Sequence, residues 1–183
     1  MTQPPEPTQT LDLSELQGGL PAITPAFGAA LAEACAICLT GQGHQPGIEL
    51  QVGGDFTEVF VLLWPKVTDQ MRRCWNDEEY TTEQAAYGIA LMLIQQLTEF
   101  TVVERSRRGT GFDYWLGNPL ESAERPFQKS VRLEVSGIRQ GNRRQIRSRV
   151  KLKMEQVKPT DELAPAYIAV IEFSHPIAWV VER

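Results

Sequence analysis

The chain has 183 residues, 42% of them hydrophobic, which is enough for one well-buried core and too few for two ordinary domains. Its formal charge of −5 disfavours a protein that coats nucleic acid over its whole surface, and no run approaches the roughly eighteen apolar residues a membrane span needs. Cys35, Cys38 and Cys74 are an odd number, which argues against a disulfide framework and fits a reducing compartment; with no secretory signal pattern at the start, a cytoplasmic protein without a membrane partner is expected.

Residues 1–20 contain Pro4, Pro5 and Pro7 and few large apolar side chains, so a disordered tail is expected there, with 21–183 as a single domain. Pro25 opens an Ala-rich run in which Phe27, Leu31, Ala34 and Cys38 recur at helical spacing, and Gly41-Gln42-Gly43 ends it. Cys35 and Cys38 have the spacing of a metal or redox pair, but with no second pair they read as small buried side chains of that helix. Residues 48–52 and 58–64 read as strands around a Gly53-Gly54-Asp55 turn, with Pro65 stopping the second. A helix over 67–75 follows. Thr81 or Thr82 then caps a longer one, whose face of Ala86, Ile89, Ala90, Leu93, Ile94 and Leu97 is wide enough to lie on a sheet.

After a strand at 101–104, two segments carry the chemistry. In 109–116, Phe112, Tyr114 and Leu116 alternate with Gly111, Asp113 and Trp115; in 131–136, Val131, Leu133 and Val135 alternate with Arg132, Glu134 and Ser136. A period of two sends each set to its own face, so Asp113 and Glu134 converge on one site if the strands are neighbours. Gly109 and Gly111 permit close backbone approach or a bulge beside Asp113, and 118–127, with Pro119 and Pro126, reads as a loop. A helix over 143–157 with an apolar face of Ile146, Val150, Met154 and Val157 is ended by Pro159, and the apolar run 167–173 reads as a strand buried on both sides. Glu172 near His175 is a suggestive pair, though Ser174-His175-Pro176 reads more simply as a strand exit. The order of elements describes an α/β (α+β) fold, a small mixed sheet flanked by helices.

An Asp on one strand and Glu134-Val135-Ser136 on the next resemble the restriction-endonuclease-like, PD-(D/E)XK, superfamily over residues 81–174, down to a helix before the Asp strand and another after the Glu strand. The resemblance implies a restriction-endonuclease-like core, with Asp113, Glu134 and the Val135 carbonyl holding Mg2+ or Mn2+ for hydrolysis of a phosphodiester. Such a cation neutralises developing charge and activates water. Where the family has its Lys, this chain has Ser136, which carries no charge. Either Lys151, Lys153 or Arg132 brings the cation to the site, or catalysis is lost. Glu99, or failing that Glu83, is the candidate for an added carboxylate from the preceding helix.

Charge is uneven. From 139 to 158 eight basic residues face Glu155 alone, a net +7 that leaves −12 for the remainder. Such asymmetry suits one basic face turned to phosphates or to an acidic protein partner, and also a helix that is simply solvated. Arg143, Arg147 and Lys151 share a face of that helix, and Trp115, on the face of Asp113, is the tryptophan placed to stack on a base. No nucleophile elbow, phosphate loop, dinucleotide motif or paired metal-spaced His is present. The expected function is a nuclease-like protein of a defence or repair system, active or as a pseudoenzyme that binds nucleic acid. The alternative is a non-enzymatic interaction domain using the basic helix and exposed aromatics. A homodimer or a multi-protein complex stays open.

Overall fold

A computed structural model describes residues 9–119 and 128–183. Eight strands form one mixed sheet in the order β1-β3-β2-β8-β7-β6-β5-β4: β1 (Gln9–Asp12), β2 (Ile48–Gly54), β3 (Glu58–Leu63), β4 (Thr101–Arg105), β5 (Tyr114–Gly117), β6 (Val131–Ile138), β7 (Ala166–Glu172) and β8 (Ile177–Glu182). The helices are α1 (Pro25–Gly41), α2 (Asp69–Cys74), α3 (Glu78–Leu97) and α4 (Arg143–Val157). The mixed sheet with flanking helices is the expected fold class. Among the described residues no helix is long and apolar enough to cross a membrane.

Two cores lie on opposite faces of the sheet. Leu31 and Leu39 of α1, Ile89 and Leu93 of α3, and Val131, Leu133 and Val135 of β6 belong to the larger one; Ile146, Val150 and Val157 of α4 pack with Ile168 and Val170 of β7 in the smaller. The alternation read along β6 therefore holds, and its polar set faces the α4 side. β6 and β7 run parallel, so the chain must cross over between them, and α4 is that crossover. β7 is buried along its whole length, as its apolar run predicts, and turns back through 174–176 into β8.

Several expectations need correction. The tail expected over 1–20 is structured from Gln9 onward: β1 pairs parallel with β3, and a 3-10 turn at Leu13–Gly18 follows, capped by the Asp12 carboxylate. Leu11, Leu13 and Leu16 are buried in the larger core, so three well-spaced leucines outweigh the polar composition around them. Residues 1–8 lie outside the described residues, as do 120–127 of the expected loop. Asp77, not a threonine, caps α3; Thr81 and Thr82 sit inside the helix, with hydroxyls donating back to the Asp77 and Glu78 carbonyls. Phe112 precedes β5 and packs in the α4-side core rather than with Tyr114 and Leu116. Cys35 and Cys38 are buried between α1 and α3, and burial pushes both thiols up, in line with a packing role.

Gly137 lets α3 settle on β6: a Cβ there would stand 2.7 Å from the Thr82 carbonyl oxygen. Gly137→Ala is therefore expected to cost about 1–3 kcal/mol of unfolding free energy by urea titration. Gly18, which has nothing within 4 Å of a built Cβ, is the matched control and should tolerate Ala with a much smaller loss.

Candidate active site

β5 is short, and its pairing with β6 ends at Tyr114 opposite Leu133. Asp113 lies one residue before that pair, and its N–H donates to the Leu133 carbonyl at 2.9 Å, so the ladder slips out of register here. Asp113 and Glu134 nevertheless line one groove, which is the convergence read from the sequence. Asp113 does not go on pairing as a strand. Its Oδ2 accepts the Val135 N–H at 2.9 Å and its Oδ1 accepts the Tyr87 hydroxyl at 2.9 Å. Tyr87 also lies 3.0 Å from Glu83 Oε1, so one phenolic proton serves two carboxylates in turn, and burial with both charges pushes the phenol well above its ordinary range.

Glu134 is 2% exposed. Lys153 of α4 donates to its Oε1 at 2.6 Å, and Gln156 Nε2 donates to the same oxygen at 3.0 Å. Gln156 also accepts from Lys153 at 3.0 Å and donates to the Gly111 carbonyl at 3.2 Å. Gly111 has φ +84°, and a Cβ on it would meet the Gln156 carbonyl oxygen at 2.8 Å, so glycine is what lets the loop before Asp113 close on the end of α4. Burial first, then the Asp113 charge, pushes the Glu134 carboxyl up to about 7, while Lys153 pulls it down.

These groups line a groove of about 970 Å³ between the first half of α3 and α4, floored by 134–138 of β6. Arg149 lies in it, donating to Ser136 Oγ at 2.8 Å and to the Gly137 carbonyl at 3.4 Å. Ser136 thus holds a guanidinium on its hydroxyl. In a strand the N–H and C=O of one residue point the same way; since the Val135 N–H meets Asp113, its carbonyl opens onto the same edge.

Of the cations considered in the sequence, Lys153 reaches Glu134. Arg132 is fully buried elsewhere, held by Val157 O, Thr160 Oγ1, Ala164 O and Asp161, and Lys151 is exposed outside the groove lining. Arg143 and Arg147 are also exposed, with Arg147 lying 6.0 Å from the Trp179 ring. Trp115 stacks edge-to-face on Phe112 at 4.9 Å beneath Lys129 and is not among the groove residues. Glu83 lines the groove, whereas Glu99 accepts from Asn118. Glu172 is a turn acceptor for Gly141, Ser174 and His175, which leaves it no role beside a catalytic His175. Tyr87, Arg149 and Gln156 were missed. Arg149, Lys153 and Gln156 recur at helical spacing, but the same is true of Arg143, Arg147 and Lys151.

Among the described residues no group of three or more His, Cys, Asp or Glu side chains converges on a metal position. Two carboxylates and a main-chain carbonyl are nevertheless the kind of set that holds Mg2+, which keeps several waters and takes further oxygens from a phosphate substrate. Comparison with family models, with curated proteins and with solved structures found no match.

The raised Glu134 carboxyl has a signature in stability. Between the ordinary carboxylate range and about pH 7 the folded chain keeps a proton that the unfolded chain has released, so stability falls as pH rises across that window and levels off above it. Glu134→Gln is expected to remove this component of the pH slope, measured by urea midpoints from pH 5 to 8. An unchanged slope would place the titrating group elsewhere.

Proposed function

We propose that this chain is a restriction-endonuclease-like, metal-dependent phosphodiesterase of nucleic acid whose motif lysine is supplied from α4 as Lys153. The observation that carries the reading is the 2.6 Å contact of Lys153 Nζ with Glu134 Oε1, beside an Asp113 carboxylate that accepts the neighbouring Val135 N–H. Asp113, Glu134 and the Val135 carbonyl are the groups to hold Mg2+ or Mn2+, and the ion would supply a water of lowered pKa and a positive charge at the phosphate. Lys153 pulls the buried Glu134 back toward its charged form and is placed to orient an attacking water. Arg149, held by Ser136, presents a guanidinium whose planar donors suit phosphate oxygens. Gln156 fixes both Lys153 and Glu134.

A second reading, a catalytically silent member of the same fold that binds nucleic acid or an acidic protein, has its own support: both oxygens of Asp113 already accept hydrogen bonds from the protein. The exposed Arg143, Arg147 and Lys151 would be its contact face.

Incubation of the full chain with Mn2+ or Mg2+ and labelled DNA or RNA separates the two. The first reading expects cleavage that Asp113→Ala and Glu134→Ala abolish and that Lys153→Ala lowers by about 10²-fold or more, as for loss of a positioned proton-transfer or charge-stabilising group. An inert wild-type chain that takes up no Mn2+ in calorimetry overturns it in favour of the second. Cleavage that survives both carboxylate substitutions assigns the activity to another site.

A further inference from the structure

A second depression, of about 500 Å³, opens on the other side of the acids, and it shares Glu83, Tyr87, Asp113, Glu134 and Gln156 with the main groove. Its far wall is the β4–β5 turn with Arg105, Arg107 and Arg108. The two depressions are therefore one path with the carboxylate pair in the middle. Arg139, Arg149 and Lys153 stand at one end and the arginine turn at the other.

The turn is built to hold its shape. Thr110 Oγ1 bonds Ser106 Oγ and donates to the Arg107 carbonyl, and the Ser106 N–H donates to the Asp113 carbonyl, tying the turn to Asp113. Arg105 is committed to the fold, its guanidinium 5.4 and 5.3 Å from the Tyr87 and Tyr114 rings and donating to the Tyr114 hydroxyl. Arg107 and Arg108 are exposed, and no side-chain hydrogen bond or ion pair holds them among the described residues.

We propose that this path takes a single nucleic-acid strand, with phosphates on one side of the acids held by Arg107 and Arg108 and those on the other side by Arg149 and Arg139. The location rests on the carboxylate-pair reading above. Three features select one strand over a duplex. Glu134 is recessed to 2% exposure, within reach of one backbone at the floor of the groove. Glu79 and Glu83 line the α3 wall, and Glu78 beside them is paired with Arg139 at 3.5 Å, so a polyanion is confined to the α4 side of the groove, where Arg149 and Lys153 stand. The cations lie along the path at both ends rather than across a broad face, which is how a charged groove tracks one backbone.

The test is fluorescence anisotropy of the full chain in EDTA, so that binding is read without cleavage, using a labelled oligonucleotide of about 20 nucleotides and its blunt duplex. The single strand should bind more tightly than the duplex. Arg107→Ala/Arg108→Ala should weaken single-strand binding roughly tenfold at physiological salt and lower the salt slope by about 1.4, the worth of two phosphate contacts on a single strand. The triple variant Arg143→Ala/Arg147→Ala/Lys151→Ala should move neither quantity by as much. Both variants change exposed side chains, and matching thermal melts establish that they fold. Wild-type-like single-strand binding by the double variant, or a duplex bound as tightly as the strand, overturns the proposal. Single-strand binding lost in the double variant supports it even where no cleavage is seen with Mn2+, an outcome that removes the catalytic reading and leaves the path.

Discussion

The site depends on a positive charge that never meets solvent. Arg132 is 0% exposed, and a guanidinium taken out of water is tolerable only when its donors find oxygens. They find them in Val157 O at the end of α4, Thr160 Oγ1 in the following 3-10 turn, Ala164 O in the loop and the Asp161 carboxylate. Arg183 shares that Asp161 at 2.7 Å, so the C-terminal residue joins the same network, and the two arginines hold the Asp161 carboxyl at about 2. The stretch 157–164, and through Asp161 also Arg183, is fastened to one point on β6. The last turns of α4 are held against the strand that carries Glu134, and Lys153 and Gln156 ride on those turns.

Glu134 is the counterpart two residues along the same strand. A buried carboxylate two positions from a buried guanidinium on one face looks like an ion pair, yet each has its own partners. The separation has a functional consequence: Lys153 enters from a helix on a flexible stem, whereas Arg132 is locked. In the hydrolase proposed above, a cation that orients a water beside the acid must be able to shift, and the lysine is the one that can.

Much of this was legible in the sequence. Period-two alternation placed Arg132, Glu134 and Ser136 on one face and let Asp113 converge with Glu134 if the two strands were neighbours, because a strand leaves a side chain only two directions. A helix offers more. The stripe Ile146, Val150 and Val157 is flanked on one side by Arg149, Lys153 and Gln156 and on the other by Arg143, Arg147 and Lys151, and the pattern alone is symmetrical between them. Which flank meets the acids is set by how the β6–α4–β7 crossover lays the helix on the sheet. The outer trio was therefore as attractive as the inner one. The N-terminal strand was lost for a different reason: four residues paired to an edge, followed by a short turn, present no periodic signal, and their leucines gain meaning only from the pocket they fill. Thr81 and Thr82 misled as caps because Asp77 lies one turn earlier with the same capacity to accept a backbone N–H.

The brevity of β5 has a consequence beyond chemistry. It leaves β6 with bare main-chain groups in the middle of an eight-stranded sheet, and an uncovered strand edge invites pairing with any extended segment that reaches it. Here Asp113 caps the Val135 N–H and Arg149 approaches the Gly137 carbonyl, so the side chains at the centre of the site also stopper the gap. Selection for solubility alone would then preserve Asp113, whatever chemistry the groove performs.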